Sequence, residues 1–451
     1  MVSQSGTKEQ PRLLNAAIEA FKLPDLRSKI LFTLGMLVVF RFIAQVPLPG
    51  IDQDQLQNLF ESNQFLGYLN LFSGGAMGNM SVAALGVFPY ITASIVIQLL
   101  TPVIPQLQEI SKEGTQGRQK INQIVYSLTI PIALAQGYGQ LLLLQQSGVS
   151  VGLGMGSSSF LPILTMLVSL TAGTMFLIWL WELITERGIG NGISLIIFAG
   201  IVSGFPALIA QGFLSGNNDL MNLVTFLIIA LLIIALIVIF TEAHRRIPVQ
   251  YGRSVMQGGR VMRQTGNSYI PVRVNSAGMI PLIFAFSIMI IPGTIGTYLQ
   301  TGDGWVGSSG EFIVRSFNQA SPLFWIFVFA LVVAFTFFYT LITFQQQNIS
   351  ETLQNNGGFI PGIRPGLPTQ DYLNKVILRI TWGGAIFLGF VAVVPVLASS
   401  FTNVQAIQLS GVSLLIMVGV ALDTLRQLEG QLMMRNYEGF LKWVTTIKSF
   451  F

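Results

Sequence analysis

Cysteine is absent from all 451 residues, so neither disulfides nor thiolate metal sites can form. Histidine occurs once, at His244, which removes most metal and histidine-base chemistry. Charged residues are only 10% of the chain, against roughly 25% in ordinary globular domains. Too few ionic groups are present to coat a soluble surface of this size. Hydrophobic residues reach 52% and the mean hydropathy is +0.65, which excludes disorder. A polytopic membrane protein remains.

Several motifs are missing as well. No GxxxxGKS/T phosphate loop occurs, which argues against direct nucleotide binding. No TVGYG-type ion filter occurs either. An ion-coupled transporter usually places carboxylates at the bilayer midplane. Here Glu182 and Glu186 fall at the inner end of a span and Asp423 near a span end. Neither catalysis, a metal nor a cofactor is expected.

Crossing the hydrocarbon core takes about 20 apolar residues. Ten segments qualify: 30–46, 81–102, 121–143, 159–182, 193–212, 221–241, 276–298, 322–344, 374–397 and 408–428. Residues 1–29 lack the apolar core of a removable signal peptide. Leu13, Leu14, Ala17, Ile18 and Phe21 suggest an amphipathic surface helix over 11–29; a solvated basic tail is the alternative. The expected organisation is this segment, a half over 30–212 with spans 1–5, a half over 213–430 with spans 6–10, and a tail over 431–451.

Basic residues set the orientation. The 1–2, 3–4, 5–6, 7–8 and 9–10 connections hold Asp52, Asp54, Glu61, Asp219, Asp303 and Glu311 against Arg315 alone. Nearly all of the 24 basic residues lie on the other side. Both termini and the 2–3, 4–5, 6–7 (242–275) and 8–9 (345–373) loops are therefore expected in the cytoplasm. An odd number of spans per half makes the second half run opposite to the first, as in an inverted repeat. Arg41 is the one charge well inside a span. It reads either as a buried pairing charge or as a snorkelling arginine.

Three connections stand out. Residues 65–80 are apolar but too short to span, and contain Gly74-Gly75. They must re-enter the protein or lie on the membrane. The 6–7 loop carries Arg245, Arg246, Arg253, Arg260, Arg263 and Arg273. Its alternating apolar residues, Ile247, Val249 and Tyr251, then Val261, Tyr269, Ile270 and Val272, predict a β-hairpin. The arginines read as topological retention charges, or as a face for RNA phosphates or an acidic protein. The 8–9 loop presents Arg364 between prolines and glycines.

At these residues the chain resembles the SecY family, the large subunits of the bacterial protein-translocating channel. The stretches that carry the likeness are Arg41-Phe-Ile-Ala-Gln-Val-Pro-Leu-Pro-Gly50-Ile-Asp52, Leu71-Phe-Ser-Gly-Gly75, Phe88-Pro-Tyr-Ile91, Ile184-Thr-Glu-Arg-Gly-Ile-Gly-Asn-Gly-Ile193, Arg245-Arg-Ile-Pro-Val-Gln-Tyr251 and Phe359-Ile-Pro-Gly-Ile-Arg-Pro-Gly366. The match covers essentially all of residues 12–445, in a style closer to cyanobacterial and plastid members. The resemblance implies an all-α membrane protein, with ten transmembrane helices in two pseudo-symmetric inverted five-helix halves forming an hourglass pore.

The same resemblance implies a pore ring of Val87 and Ile91 in span 2, Ile193 and Ile197 in span 5, Ile283 in span 7 and Ile416 in span 10. At ~1.5 Å rise per residue, Ile91, Ile283 and Ile416 lie on the order of 10–15 Å from a span end, near mid-bilayer. Taken singly, each reads as an ordinary lipid-facing or core aliphatic. A short re-entrant plug over about 65–76 would contain Phe65, Leu69, Leu71, Phe72, Ser73, Gly74 and Gly75. Thr92, Gln136 and Asn275 match polar positions at a lateral gate; routine interhelical hydrogen bonding is the other reading.

Arg245, Arg246, Arg253, Arg260 and Arg364 match docking positions for the SecA ATPase and the ribosome. Implied partners also include SecE- and SecG-like small subunits, a translocating polypeptide with its signal sequence, and membrane lipid. The implied function is passage of unfolded secretory polypeptides and lateral release of transmembrane segments. The implied home is the plasma membrane, or also the thylakoid. Two rivals remain from the residues alone: a secondary transporter with an inverted repeat, and a membrane scaffold or ribosome receptor without a pore.

Overall fold

The computed structural model describes residues 21, 23–51, 55–56, 75–146, 160–214, 220–257, 260–300, 304–317, 321–346, 349–402 and 411–448. The chain is mostly helical, and a helix lies on each of the ten apolar segments. These are α1 (Pro24–Ile43), α2 (Phe88–Leu100), α4 (Thr115–Gln146), α5 (Phe160–Arg187), α6 (Gly192–Leu214), α7 (Leu220–Glu242), α8 (Ile280–Gln300), α10 (Pro322–Gln346), α12 (Leu367–Thr402) and α13 (Gly411–Lys448). Shorter helices are α3 (Pro105–Lys112), α9 (Trp305–Ser316) and α11 (Ile349–Asn355). Strands β1 (His244–Gln257), β2 (Arg260–Arg273) and β3 (Gly358–Phe359) complete the described elements.

Among the described residues, three helical stretches are long and apolar enough to cross a membrane, in α5, α10 and α12. A fourth results if α2 and α3, bent by 104° at their break, count as one span. Large apolar side chains point outward on these helices. On α12, Trp382, Ile386 and Phe390 are all more than half exposed, and their i, i+4, i+8 spacing puts them on one face. A soluble protein rarely leaves such a stripe in water. In a bilayer it faces lipid. Threonine hydroxyls inside the helices bond back to the carbonyl four residues earlier, as at Thr129, Thr171, Thr336 and Thr381, so their polarity is satisfied within the helix.

The chain divides into two compact units. One comprises Met1–Tyr90, Ile130–Ala207 and Ile416–Phe451. Its core packs Leu48, Met80, Ala84 and Leu85 against Leu141 and Leu144 of α4 and Met166 and Leu170 of α5. A second cluster joins Leu26 of α1, Ile189, and Leu428 and Leu432 of α13. Thr33 of α1 accepts a bond from the Ile189 amide at 3.1 Å, tying α1 to the turn after α5.

The other unit comprises Ile91–Thr129 and Leu208–Leu415. Aromatic contacts hold its helices. Phe240 of α7 stacks on Phe387 of α12 at 3.8 Å. Phe284 of α8 meets Phe335 of α10 edge-on at 6.0 Å, and Phe337 of α10 meets Trp382 at 4.9 Å. Helix α9 packs closely on α8, since side chains at Gly296 or Gly310 would collide with the other helix.

Two expectations are corrected. The span placed at 81–102 is not helical before Phe88: residues 82–87 form successive turns after the single bridge residue Ser81. Gly86 takes φ +57, which does not continue a right-handed helix. Pro89 then sits in the first turn of α2, where its missing N–H costs nothing. Val87 therefore precedes the helix rather than lying in it. Likewise α8 begins at Ile280, so residues 276–279 form a turn rather than the start of a span.

Candidate functional site

The ring residues divide by burial. Val87, Ile91, Ile197 and Ile416 are 5%, 6%, 4% and 0% exposed, while Ile193 and Ile283 are half-buried. Burial removes the lipid-facing reading for the first four. The local sequence explains how α6 places two of them. Asn191 Oδ1 accepts from the amides of Ile193 at 3.1 Å and Ser194 at 3.4 Å, a side-chain N-cap. Gly190 takes φ +89, and a side chain at Gly192 would collide with the Trp181 carbonyl. The Gly-Ile-Gly-Asn-Gly run is thus a tight corner that starts α6 with Ile193 in its first turn. Ile197 follows one turn on, on the same face. In the same unit, Tyr90 rests edge-on against Trp181 at 4.5 Å.

Plug positions Phe65, Leu69, Leu71, Phe72, Ser73 and Gly74 lie outside the described residues. Gly75 is described, with φ +81; a methyl built there would stand 3.7 Å from Arg41 Nη1. Arg41 is half-buried, its guanidinium beside this backbone. The segment that follows is deeply braced. Ala76, Met77, Met80 and Ser81 are buried. The Leu48 amide donates to the Met80 carbonyl at 3.0 Å, and the Val82 amide to the Val46 carbonyl at 3.0 Å. Asn79 Nδ2 donates to Gln45 Oε1 at 2.9 Å.

Of the polar seam residues, Thr92 and Gln136 are half-buried on α2 and α4. Asn275 is buried on the turn between β2 and α8, and its Oδ1 has no hydrogen-bond partner among the described residues. That turn packs on α12 at Gly384, where any side chain would press on the Val274 carbonyl.

The arginine-rich connection is a long antiparallel hairpin, as its alternation predicts. His244 pairs with Arg273 at its base and Gln257 with Arg260 at its tip. Arg253 stands opposite Gln264. Arg245 and Arg246 are exposed. The Arg246 guanidinium lies 5.0 Å from the Tyr269 ring centroid, and its Nε donates to His244 Nε2 at 3.3 Å. What the alternation does not reveal is β3. Gly358 and Phe359 of the next large connection pair with Tyr251 and Gln250, giving a sheet ordered β2-β1-β3. A shared core of Ile247, Val249, Val272, Leu353, Ile360 and Leu373 lies beneath it, continuing to Val376 and Ile377 of α12. The two connections are one body. On it Arg364 is exposed, its carbonyl accepting from Thr369 Oγ1 at 2.8 Å between Gly362 (φ +83) and Gly366 (φ +100).

The SecY family profile matches residues 81–425. A protein translocase subunit SecY from Streptomyces galbus is 41% identical over 444 residues, covering 95% of this chain and 100% of the relative. One from Mycobacterium tuberculosis is 42% identical over 446 residues, with the same coverage. Among solved structures, a protein-conducting channel aligns with TM-score 0.58 over 94% of this chain and 96% of its own, at 17% identity. The canine Sec61 channel from a ribosome–channel complex aligns with TM-score 0.58 at 18% identity, over the same shares. By sequence along nearly its whole length, the chain belongs to the SecY family, whose members are integral membrane channels.

Proposed function

We propose that this chain is the pore subunit of a protein translocase, which passes unfolded secretory polypeptides across a membrane and releases apolar segments sideways into lipid. The observation that carries this reading is the 41% identity to a SecY translocase subunit along 95% of the chain. Val87, Ile91, Ile193, Ile197, Ile283 and Ile416 form the constriction. Apolar side chains cannot replace an ion's hydration shell, so an empty ring stays dry and tight. With no fixed ligands it yields around any passing side chain. The burial of four of the six supports this assignment.

Residues 65–76 seat as the plug. Thr92, Gln136 and Asn275 line the seam that parts toward lipid, and the unsatisfied Asn275 Oδ1 supports a polar contact there. Once the seam opens, each Leu or Ile of a substrate gains about 0.3–0.6 kcal/mol by entering the bilayer. About 20 residues then decide between release and passage. The chain performs no chemistry itself, so a partner drives transport. The SecA ATPase and the ribosome dock on the hairpin and the Arg364 loop, with SecE- and SecG-like subunits beside the pore. It works as a ten-span protein with both termini in the cytoplasm, in the plasma membrane or also the thylakoid.

Crosslinking tests this directly. A secretory chain stalled in transit should react with a photoreactive side chain at Ile91 or Ile283, and not with one at Phe390, on the exposed face of α12. Equal labelling at all three sites would defeat the pore assignment. Deleting residues 65–76 should raise resting ion conductance; a pore-free scaffold would show none.

A further inference from the structure

A cavity of about 260 Å³ opens beside the Arg364 loop, between the end of α10, α11 and the first turns of α12. Phe344, Ile349 and Leu367 give it an apolar wall, and the amides of Gln354 and Gln370 line its polar side. Among the described residues, Glu351 is the one ionisable residue of the lining, which holds no lysine or arginine. The rim is fixed: Ser350 Oγ donates to the Gly366 carbonyl at 2.9 Å, and Gly366 holds φ +100. Leu367 stands 77% exposed at the mouth, three residues beyond Arg364.

We propose that this cavity receives an arginine or lysine side chain from the motor ATPase that docks on this face. The inference rests on the docking reading above and gives it a polarity. A long basic side chain has an aliphatic stem and a charged head. The stem fits against Leu367 and Ile349, while the head meets the Glu351 carboxylate and the acceptor oxygens of the two glutamines. A phosphate would meet Glu351 with no cation to offset it, so charge favours a polypeptide over RNA here. Exposed Arg364 asks for a carboxylate nearby. The docking partner therefore carries a basic anchor beside an acidic residue, and complementary charges of this kind fix orientation as well as attraction.

The test uses the complete channel complex in nanodiscs of neutral lipid, with the SecA ATPase and ribosomes as probes. Glu351→Lys should weaken SecA binding about tenfold and Glu351→Gln about threefold, with ribosome binding unchanged. N-acetyl-arginine amide at millimolar concentration should compete with SecA on the wild-type complex, and N-acetyl-glutamine amide should not. A wild-type thermal midpoint for Glu351→Gln shows that folding is intact. If Arg364→Glu weakens docking and Glu351→Lys does not, the cavity assignment falls and the docking reading stands. Should both bind normally, the docking reading itself falls. Loss of ribosome binding alone would assign the cavity to the ribosome and overturn the proposal.

Discussion

Two non-helical regions of this chain solve the same backbone problem in opposite ways. The sheet of β1, β2 and β3 pairs its amides in a ladder, exposes arginines on its surface and sits on an apolar core. The 75–87 segment has almost no ladder: one isolated bridge, Pro47 to Ser81, and a few turn bonds hold it. Yet residues such as Ala76, Ser81 and Ala83 are at most 1% exposed. Water can satisfy the loose ends of an exposed sheet. A buried stretch amid apolar helices must find every partner inside the protein. Regular pairing therefore tolerates change on its open face, while the irregular brace depends on close contact at each point.

The largest effect is expected at Gly173 of α5, which packs on the buried segment. Any side chain there would drive into the Val82 carbonyl and stand 2.9 Å from Val82 Cγ1. Backbone cannot swing aside as a flexible side chain can. Gly173→Val should cost at least the upper end of the about 1–3 kcal/mol typical of overpacking. The expected outcome is a strongly lowered thermal midpoint for the purified complex, with proteolysis appearing near residues 76–87. A midpoint within a degree of wild type would show that the brace is loose.

The matching change in the sheet is Gly358→Ala. Its methyl would lie 2.8 Å from Tyr251 Cε1, the end of a side chain that can rotate. Only the β1–β3 seam should yield. Resting conductance should stay at the wild-type level, while proteolysis within 345–373 accelerates and partner binding at Arg364 drops several-fold. The change adds about 1 kcal/mol of strain, low on the overpacking range. Raised conductance would mean that the platform and the pore are less separable than the comparison holds.

These two regions also mark what could be read from residues alone. The hairpin was legible because β1 alternates, with Ile247, Val249 and Tyr251 on one face. Strand β3 was not: two residues carry no period, and Gly358 is explained only by the Tyr251 ring beside it. The brace was misread for a different reason. Val82, Ala83, Ala84, Leu85 and Val87 are as apolar as any span, and hydropathy does not separate a buried irregular stretch from a helix. Gly86 and Pro89 were the usable signals for the true start of α2. Burial of Ile416 and Ile197 could not be told from sequence, since every span is rich in isoleucine. Family resemblance singled them out where periodicity could not.

The smallest effect sharpens the tolerant side. Arg246 lies over Tyr269 on the exposed face of the hairpin, 5.0 Å from the ring centroid. An exposed cation–π pair is worth about 0.5–1 kcal/mol. Tyr269→Ala should therefore shift the thermal midpoint little, because the ladder and the core beneath are untouched. Its effect should appear in docking. Without the ring, the guanidinium loses the support that orients its fork, so anionic partners should bind about two- to fourfold more weakly, with a steeper loss at higher salt. Tyr269→Phe keeps the ring face and should bind as wild type. Equal weakening by both would assign the role to the tyrosine hydroxyl and not to the stacked arginine.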